Sequence, residues 1–248
     1  MPTNRPLNIG VVCGEHSGDR LGAGLIKEIK KNSDVNLFGV GGPKLEELGV
    51  NSEFNFSEIN VMGFVQPLLK YRKLKNLRNS LIETFINKKI DLFIGIDSPD
   101  FNMGIHKALK KHHVSKNIQV VSPSVWGWRQ NRIKSIQANI DLTLCLFNFE
   151  DNFYKKEGHK SFHLGHPFYS LNKIDRIDVL KKYNFAEDKK YISVLPGSRV
   201  SELQDMLPIY KEFIQEHSQE NNNYLYLIPA ADKKLMKVLV KSFHASNL

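Results

Sequence analysis

The sequence predicts an α/β protein built on a Rossmann-like, doubly wound parallel sheet. Two observations support this fold class. Short runs rich in β-branched residues alternate with longer stretches whose apolar residues recur at helical spacing. Apolar residues make up 41% of the 248 residues and are spread along the whole chain, as in a globular protein and not a disordered one. Strands that alternate with helices imply βαβ units, whose right-handed crossovers place helices on both faces of the sheet.

The first part of the chain carries most of this pattern. Leu7–Cys13 is an apolar strand, and the helix Gly18–Lys31 that follows places Leu21 and Leu25 on one face. Further strands are predicted at Asn36–Val40, Ile90–Ile96, Ile118–Ser122, Ile140–Phe147 and Ser161–Leu164. Further helices are predicted at Lys44–Leu48, Leu68–Lys89, Met103–His112 and Arg129–Gln137.

The composition changes after residue 168, which predicts a domain boundary between residues 1–168 and 169–248. Residues 169–190 are polar and suggest a linker with a short helix. A new cycle follows, with strands at Tyr191–Leu195 and Tyr224–Ile228 and helices at Ser201–His217 and Lys233–Phe243. We expect a second Rossmann-like domain that is incomplete, since about 80 residues are fewer than such a domain needs.

Charge and cysteine content limit the classes of function. The net charge of +9 favours anionic partners, such as nucleic acid, phosphorylated metabolites or an anionic membrane surface. Cys13 and Cys145 lie in apolar runs and are predicted to be buried thiols in a reducing compartment. No run approaches the ~18–20 apolar residues that span a bilayer, and the first residues do not fit a signal peptide. We therefore expect a cytoplasmic protein.

Ligands of open parallel sheets bind at the carboxyl ends of the strands, so the loops after strands are candidate sites. Glu15 and Ser17 lie in a Gly-flanked turn after the first strand, which is either an anion site or simply a helix cap. Asp97, Asp100 and Asn102 follow the strand Ile90–Ile96. Asp97 is a candidate general base, because the apolar strand would raise its proton affinity; the alternatives are turn and cap roles for all three residues.

Three later loops carry further candidates. Both tryptophans lie after the strand Ile118–Ser122, where aromatic and guanidinium groups could bind a sugar or phosphate; the alternative is a buried aromatic wedge. The candidate side chains of this loop are Trp126, Arg129 and Gln130. A strand–turn–helix in the second domain could present N–H groups and one guanidinium to a pyrophosphate, at Gly197, Ser198 and Arg199; the alternative is a capped helix with a solvated arginine. His166 ends a strand and could also face the cleft.

Residues 62–89 combine apolar and basic side chains at helical spacing. Such a helix either rests on an anionic membrane or packs on the core with a solvated basic face. The candidate membrane contacts are Val65, Leu68, Leu69, Leu74 and Leu77. The histidines lack zinc-site spacing, so we predict no metal site and no cofactor.

Seven segments together resemble the lipid-A-disaccharide synthase family, in family order along the chain. They are GEHSGD (14–19), GVGGPKLEELG (39–49), VMGFV (61–65), IGIDSPDFN (94–102), SPSVWGWRQNRIKSI (122–136), LGHP (164–167) and LPGSR (195–199). The resemblance implies a GT-B type glycosyltransferase of lipid A and lipopolysaccharide biosynthesis in a Gram-negative bacterium. It implies metal-free, inverting transfer from UDP-2,3-diacylglucosamine to 2,3-diacylglucosamine 1-phosphate, with release of UDP.

The resemblance also implies roles for the candidate residues. Asp97 would be the base, and Arg199 with the Gly197–Ser198 turn would lie near the UDP pyrophosphate. Glu15 and Ser17 would line the cleft. The remaining candidates that would bind substrate are Asp100, Asn102, Trp126, Arg129, Gln130 and His166. A lipid acceptor implies work at the cytoplasmic face of the inner membrane, and the family pattern implies a homodimer or a separate C-terminal half as partner.

Two departures from the family keep alternatives open. Pro167 is followed by Phe-Tyr-Ser where the family usually has an acidic residue, and the family's second domain continues beyond residue 248. The alternatives are an inactive, truncated remnant that still binds lipid or membrane, and another UDP-sugar enzyme such as an epimerase. Nucleic-acid binding is disfavoured, because no such signature accompanies the basic residues.

Overall fold

The computed structural model describes residues 5–59, 71–170 and 174–244. The chain divides into two compact units, Met1–Leu171 and Asn172–Leu248. Among these described residues, each unit contains its own parallel sheet, of seven strands in the first and two in the second. The predicted α/β class with a Rossmann-like parallel sheet is therefore confirmed.

The sheet of the first unit has the strand order β3-β2-β1-β4-β5-β6-β7, and every neighbouring pair is parallel. Its strands are β1 (Leu7–Cys13), β2 (Val35–Val40), β3 (Asn51–Ser52), β4 (Leu92–Ile96), β5 (Lys116–Val120), β6 (Leu142–Cys145) and β7 (Ser161–His163). The order reverses direction between β1 and β4. Loops diverge at such a point and leave a crevice at the carboxyl edge of the sheet.

Helices connect the strands of the first unit. They are α1 (His16–Asn32), α2 (Pro43–Glu46), α3 (Tyr71–Asn87), α4 (Pro99–Lys111), α5 (Ile133–Asn139) and α6 (Asn148–Lys156). Helices cover both faces of the sheet, and successive side chains of each strand point to opposite faces. Ile9 and Val11 of β1 join a core cluster with Ile26 of α1, whereas Val12 joins a second cluster with Phe85 of α3 and Leu109 of α4.

Several predicted boundaries were wrong. Helix α4 begins at Pro99 and not at Met103, since proline at the first helical position loses no hydrogen bond. Helix α5 begins at Ile133, after a 3₁₀ turn, and not at Arg129. Helix α6 was not predicted, because its sequence is mostly polar. A local signal was present, however: the Glu150 carboxylate accepts the Phe147 N–H at 3.1 Å, as in a capping box.

The second unit consists of α7 (Arg176–Lys182), β8 (Lys190–Ser193), α8 (Val200–Glu220), β9 (Tyr224–Leu227) and α9 (Lys233–His244). β8 and β9 are parallel neighbours, as a βαβ unit requires. Helices α8 and α9 pack together through four buried leucines, Leu203, Leu207, Leu235 and Leu239.

Candidate active site

The loops after β1 and β4 are in direct contact at the carboxyl edge of the sheet. Cys13 pairs with Ile96 at the ends of these neighbouring strands. A methyl group at Gly14 would lie 2.6 Å from Ser98 Oγ, so only glycine admits the second loop this closely. A methyl group at Gly18 would lie 3.8 Å from Asp97 Cβ. The half-buried Asp97 therefore lies beside the first turn of α1.

Asp97 has an unusual backbone. Asp97 and Ser98 both adopt positive φ angles, of 52° and 39°. This left-handed conformation is strained for residues with a side chain, and such strain often occurs at functional sites. The Asp97 carbonyl accepts hydrogen bonds from Asn102 Nδ2 at 2.8 Å and from Gln119 Nε2 at 3.1 Å. Two buried amides thus hold the strained turn.

A series of buried hydrogen bonds continues from the Asp97 turn into the interior. Gln119 Oε1 lies 3.1 Å from His106 Nε2, and both side chains are buried. Because an amide oxygen only accepts, His106 donates from Nε2. Burial lowers the pKa of His106 to about 4, which keeps the ring neutral near pH 7. Gly95 makes room for the Gln119 side chain, since a methyl group at Gly95 would lie 2.9 Å from Gln119 Oε1.

The residues after β1 differ in exposure. Glu15 is half-buried at the N-cap of α1, and Ser17 is exposed in its first turn. Asp19 is buried and caps α2, not α1: its carboxylate accepts the backbone N–H groups of Gly42, Lys44 and Leu45 at 2.9–3.1 Å. This contact joins two segments that stand far apart in the sequence.

The other two polar residues after β4 differ in exposure. Asn102 is completely buried and contacts the Asp97 turn, not solvent. Asp100 is exposed in the first turn of α4 and forms a 2.6 Å ion pair with Arg132.

The loop after β5 presents aromatic rings to solvent. Trp126 and Trp128 are 41% and 57% exposed, so the alternative of a buried wedge was wrong. The Arg129 guanidinium stacks 4.1 Å from the Trp128 ring, and Gln130 is exposed beside it. Trp126 packs edge-on against Phe149, with ring centroids 4.8 Å apart. Exposed, preorganised rings of this kind suit a sugar face.

His166 lies in a groove of the same unit. Its ring stacks on Phe147 at 5.9 Å, and both line an apolar groove of about 770 Å³ with Leu21 and Leu25 of α1.

The candidate loop of the second unit is organised by Glu202. Gly197 has a φ of 133°, and a methyl group there would lie 2.5 Å from Glu202 Cβ. The Glu202 carboxylate accepts the Ser198 N–H and an Arg199 Nη1–H, both at 2.7 Å. These two contacts lower the pKa of Glu202. The Glu202 carboxylate therefore accepts the hydrogen bond of the Ser198 N–H group, which the sequence analysis predicted to bind a phosphate.

The structure tests the proposed membrane helix only in part. Val65, Leu68 and Leu69 lie outside the described residues. Leu74 is half-buried against the core cluster, and Leu77 is also half-buried, so each offers only part of its surface to a membrane. No helix within the described residues is long and apolar enough to cross a membrane. Nor do those residues contain a group of three His, Cys, Asp or Glu suited to a metal ion.

The sequence did not predict the structural roles of His106, Gln119 and Glu202, and the cap role predicted for the loop after β1 is filled by Asp19 at α2. A signal existed for Gln119, which is the one amide in the otherwise apolar stretch Ile118–Val121. A buried polar side chain within a strand requires partners, and its partners here are the turn and His106.

Comparison with known proteins identifies the family. A family model described as lipid-A-disaccharide synthetase matches residues 9–247. The lipid-A-disaccharide synthase 2 of Legionella pneumophila strain Philadelphia 1 is 41% identical over 248 residues, covering 99% of this chain and 64% of the relative. The lipid-A-disaccharide synthase of Acinetobacter baylyi is 38% identical over 228 residues, covering 90% and 58%. The chain belongs to the lipid-A-disaccharide synthetase family. It spans about two thirds or less of the length of these relatives.

Solved structures agree on the fold. The UDP-GlcNAc 2-epimerase of Neisseria meningitidis, bound to UDP-GlcNAc, matches with a TM-score of 0.60 at 13% identity, covering 93% of this chain and 67% of that one. At this identity the likeness supports the GT-B type fold class alone.

Proposed function

We propose that this chain acts in an inverting glycosyl transfer of lipid A biosynthesis. The donor is UDP-2,3-diacylglucosamine, and the acceptor is 2,3-diacylglucosamine 1-phosphate. The observation that carries the proposal is the Asp97 turn: a half-buried carboxylate at the crevice of the sheet, with its backbone held by two buried amides. Membership of the family supplies the reaction class.

In the proposed step, Asp97 accepts the proton of the acceptor's 6-hydroxyl group. The freed oxygen pair attacks the anomeric carbon of the donor, and the bond from that carbon to the pyrophosphate oxygen breaks. UDP leaves with the bonding pair, and attack from the opposite face inverts the configuration. General base catalysis of this kind contributes about 10²–10⁴-fold in rate.

The second unit would bind the donor. Arg199 offers a guanidinium that Glu202 already orients, and such a charge offsets the negative charge that develops on the leaving group. Ser198 and the permissive backbone of Gly197 lie beside it. The epimerase with the same fold class was solved with a UDP-sugar bound, which supports a UDP-sugar as ligand of this fold.

The loops of the first unit would bind the acceptor. Glu15 and Ser17 lie at the start of α1, just after Gly14, which approaches Ser98 of the Asp97 turn. Trp126, Arg129 and Gln130 are exposed after β5. Because both substrates carry acyl chains, we place the chain at the cytoplasmic face of the inner membrane. Val65, Leu68, Leu69, Leu74 and Leu77 would make that contact, and a homodimer or a separate C-terminal polypeptide is the proposed protein partner.

The test is product analysis with the purified chain and both lipid substrates in detergent micelles. We expect UDP and a disaccharide 1-phosphate in equal amounts. UDP-GlcNAc without lipid acceptor serves as the comparison, and its epimerisation would favour an epimerase. Micelle binding without release of UDP in the complete mixture would contradict transfer by this chain and favour the lipid-binding remnant.

A further inference from the structure

A basic cavity of about 360 Å³ opens beside the Asp97 turn in the first unit. This volume lies within the range of ~300–1,000 Å³ that is usual for small-molecule sites. Its lining includes Pro99, which is the second residue after Asp97. The charged side chains of the lining are Arg78 of α3, Asp100 and Lys107 of α4, and Arg132.

Arg78 lies directly over the backbone of α4. A methyl group at Gly104 would lie 2.6 Å from both Cδ and Nη1 of Arg78, so the guanidinium occupies the space that a side chain would take. Glycine within a helix is unfavourable relative to alanine. Its presence at this position makes room for an arginine at the rim of the cavity.

The cavity has an excess of positive charge. Arg132 pairs with Asp100 at 2.6 Å. Arg78 and Lys107 have no hydrogen-bond or ion-pair partner among the residues that the structure describes. Two cationic groups thus line one cavity whose carboxylate, Asp100, is already paired with Arg132. A dianion with several oxygen acceptors would complement them, since guanidinium binds phosphate through paired hydrogen bonds and lysine through charge.

We infer that this cavity binds the phosphate monoester of the acceptor lipid. The inference rests on the proposed function, because it assigns a place to the acceptor. An acceptor that presents its hydroxyl group to Asp97 carries its phosphate at the far side of the same sugar ring. Pro99 of the cavity lining is the second residue after Asp97, and the inference requires one sugar to extend from Asp97 to the cavity.

Two variants and one matched control test the site. Arg78→Gln removes the charge, whereas Gly104→Ala keeps every charge and displaces the guanidinium. Lys111→Gln removes one charge from the end of α4, outside the cavity lining. Each is assayed with the acceptor 1-phosphate and with its dephosphorylated counterpart, in neutral detergent micelles that exclude attraction to an anionic surface.

We expect Arg78→Gln to raise the KM for the phosphorylated acceptor by about tenfold or more. The Gly104→Ala variant should raise it several-fold and remain folded, because alanine favours the helix. Neither should change the KM of the donor or of the dephosphorylated acceptor, and Lys111→Gln should behave like the unaltered chain. Equal effects on both acceptors, or no effect on either, would overturn the inference.

A binding measurement separates this inference from the proposed function. If the unaltered chain shows no transfer, tryptophan fluorescence still reports binding of the two acceptors in micelles. If the unaltered chain prefers the phosphorylated acceptor and Arg78→Gln loses this preference, the phosphate site is supported even when no transfer occurs. The inference would be overturned if Arg78→Gln kept this preference but bound phosphatidylglycerol vesicles less tightly. That result would identify a lipid headgroup as the ligand.

Discussion

The side-chain amide of Gln119 donates a hydrogen bond to the main-chain carbonyl of Asp97 at 3.1 Å. This contact joins β5 to the turn after β4, and it holds the backbone of Asp97, the candidate base. His106 orients the same amide from the interior side, 3.1 Å from Gln119 Oε1. A neutral, buried histidine therefore helps to set the position of a carboxylate at the surface of the crevice.

Replacement of Gln119 by leucine should weaken both the fold and the turn. We expect a loss of about 1–3 kcal/mol in the free energy of unfolding, because buried carbonyl groups lose their donor. Urea unfolding followed by tryptophan fluorescence measures this, since Trp126 and Trp128 both lie in the first unit. Turnover per folded molecule should also fall about tenfold or more.

Thr143→Val provides the control for the Gln119 variant. Thr143 is also buried and pairs with Gln119 on the neighbouring strand β6, but its hydroxyl group lies 2.9 Å from His159 Nε2. This variant should lose stability and keep its turnover per folded molecule. Equal loss of turnover in both variants would contradict a specific role for Gln119.

The buried His106 should make stability depend on pH. Its pKa is about 4 in the folded state, below the ordinary value of 6.5. Between pH 4 and pH 6.5 only the unfolded chain binds a proton at this histidine. The free energy of unfolding therefore has its full value above pH 6.5 and falls as the pH approaches 4. The total loss is on the order of 3 kcal/mol. The free energy of unfolding of His106→Gln should therefore fall less steeply over this window. His112→Gln, at an exposed histidine, should keep the original slope, and an unchanged slope in His106→Gln would refute the assignment.

The Asp19 carboxylate should stabilise the fold strongly despite its place in a candidate ligand loop. Asp19→Ala leaves three backbone N–H groups without their acceptor, and we expect a loss of about 2–3 kcal/mol in urea unfolding. Asp34→Ala, at an exposed carboxylate, should change stability by less than about 0.5 kcal/mol. Similar stabilities for the two variants would contradict the capping role.

Glu202 should affect binding at the proposed donor site through Arg199. Removal of its carboxylate in Glu202→Ala releases the Arg199 guanidinium from its fixed orientation, and we expect UDP to bind several-fold more weakly in calorimetric titration. Asp205→Ala, at an exposed acidic residue of the same helix, is the matched control. Unchanged binding by Glu202→Ala would contradict this role, and tighter binding would show that the carboxylate competes with the phosphate.

The sequence predicted the sheet and the place of Asp97 because both depend on local patterns. The apolar run before Asp97 identifies a buried strand, and polar residues at its end mark the edge of the sheet. The supports of the turn depend instead on the register between strands, in which Ile96 pairs with Val120 and brings Gln119 beneath the turn. Asp19 and Gly42 likewise meet only after β1 and β2 have paired. Spacing along one chain does not contain such contacts.

The transfer rate of Asp97→Asn tests the central proposal most directly. Asparagine keeps the shape and the backbone contacts of Asp97 but cannot accept the proton of a sugar hydroxyl. With Asp34→Asn as the control, we expect kcat to fall at least 100-fold in Asp97→Asn alone, with little change in the KM of either substrate. A kcat within a few-fold of the unaltered chain would contradict the assignment of Asp97 as the base.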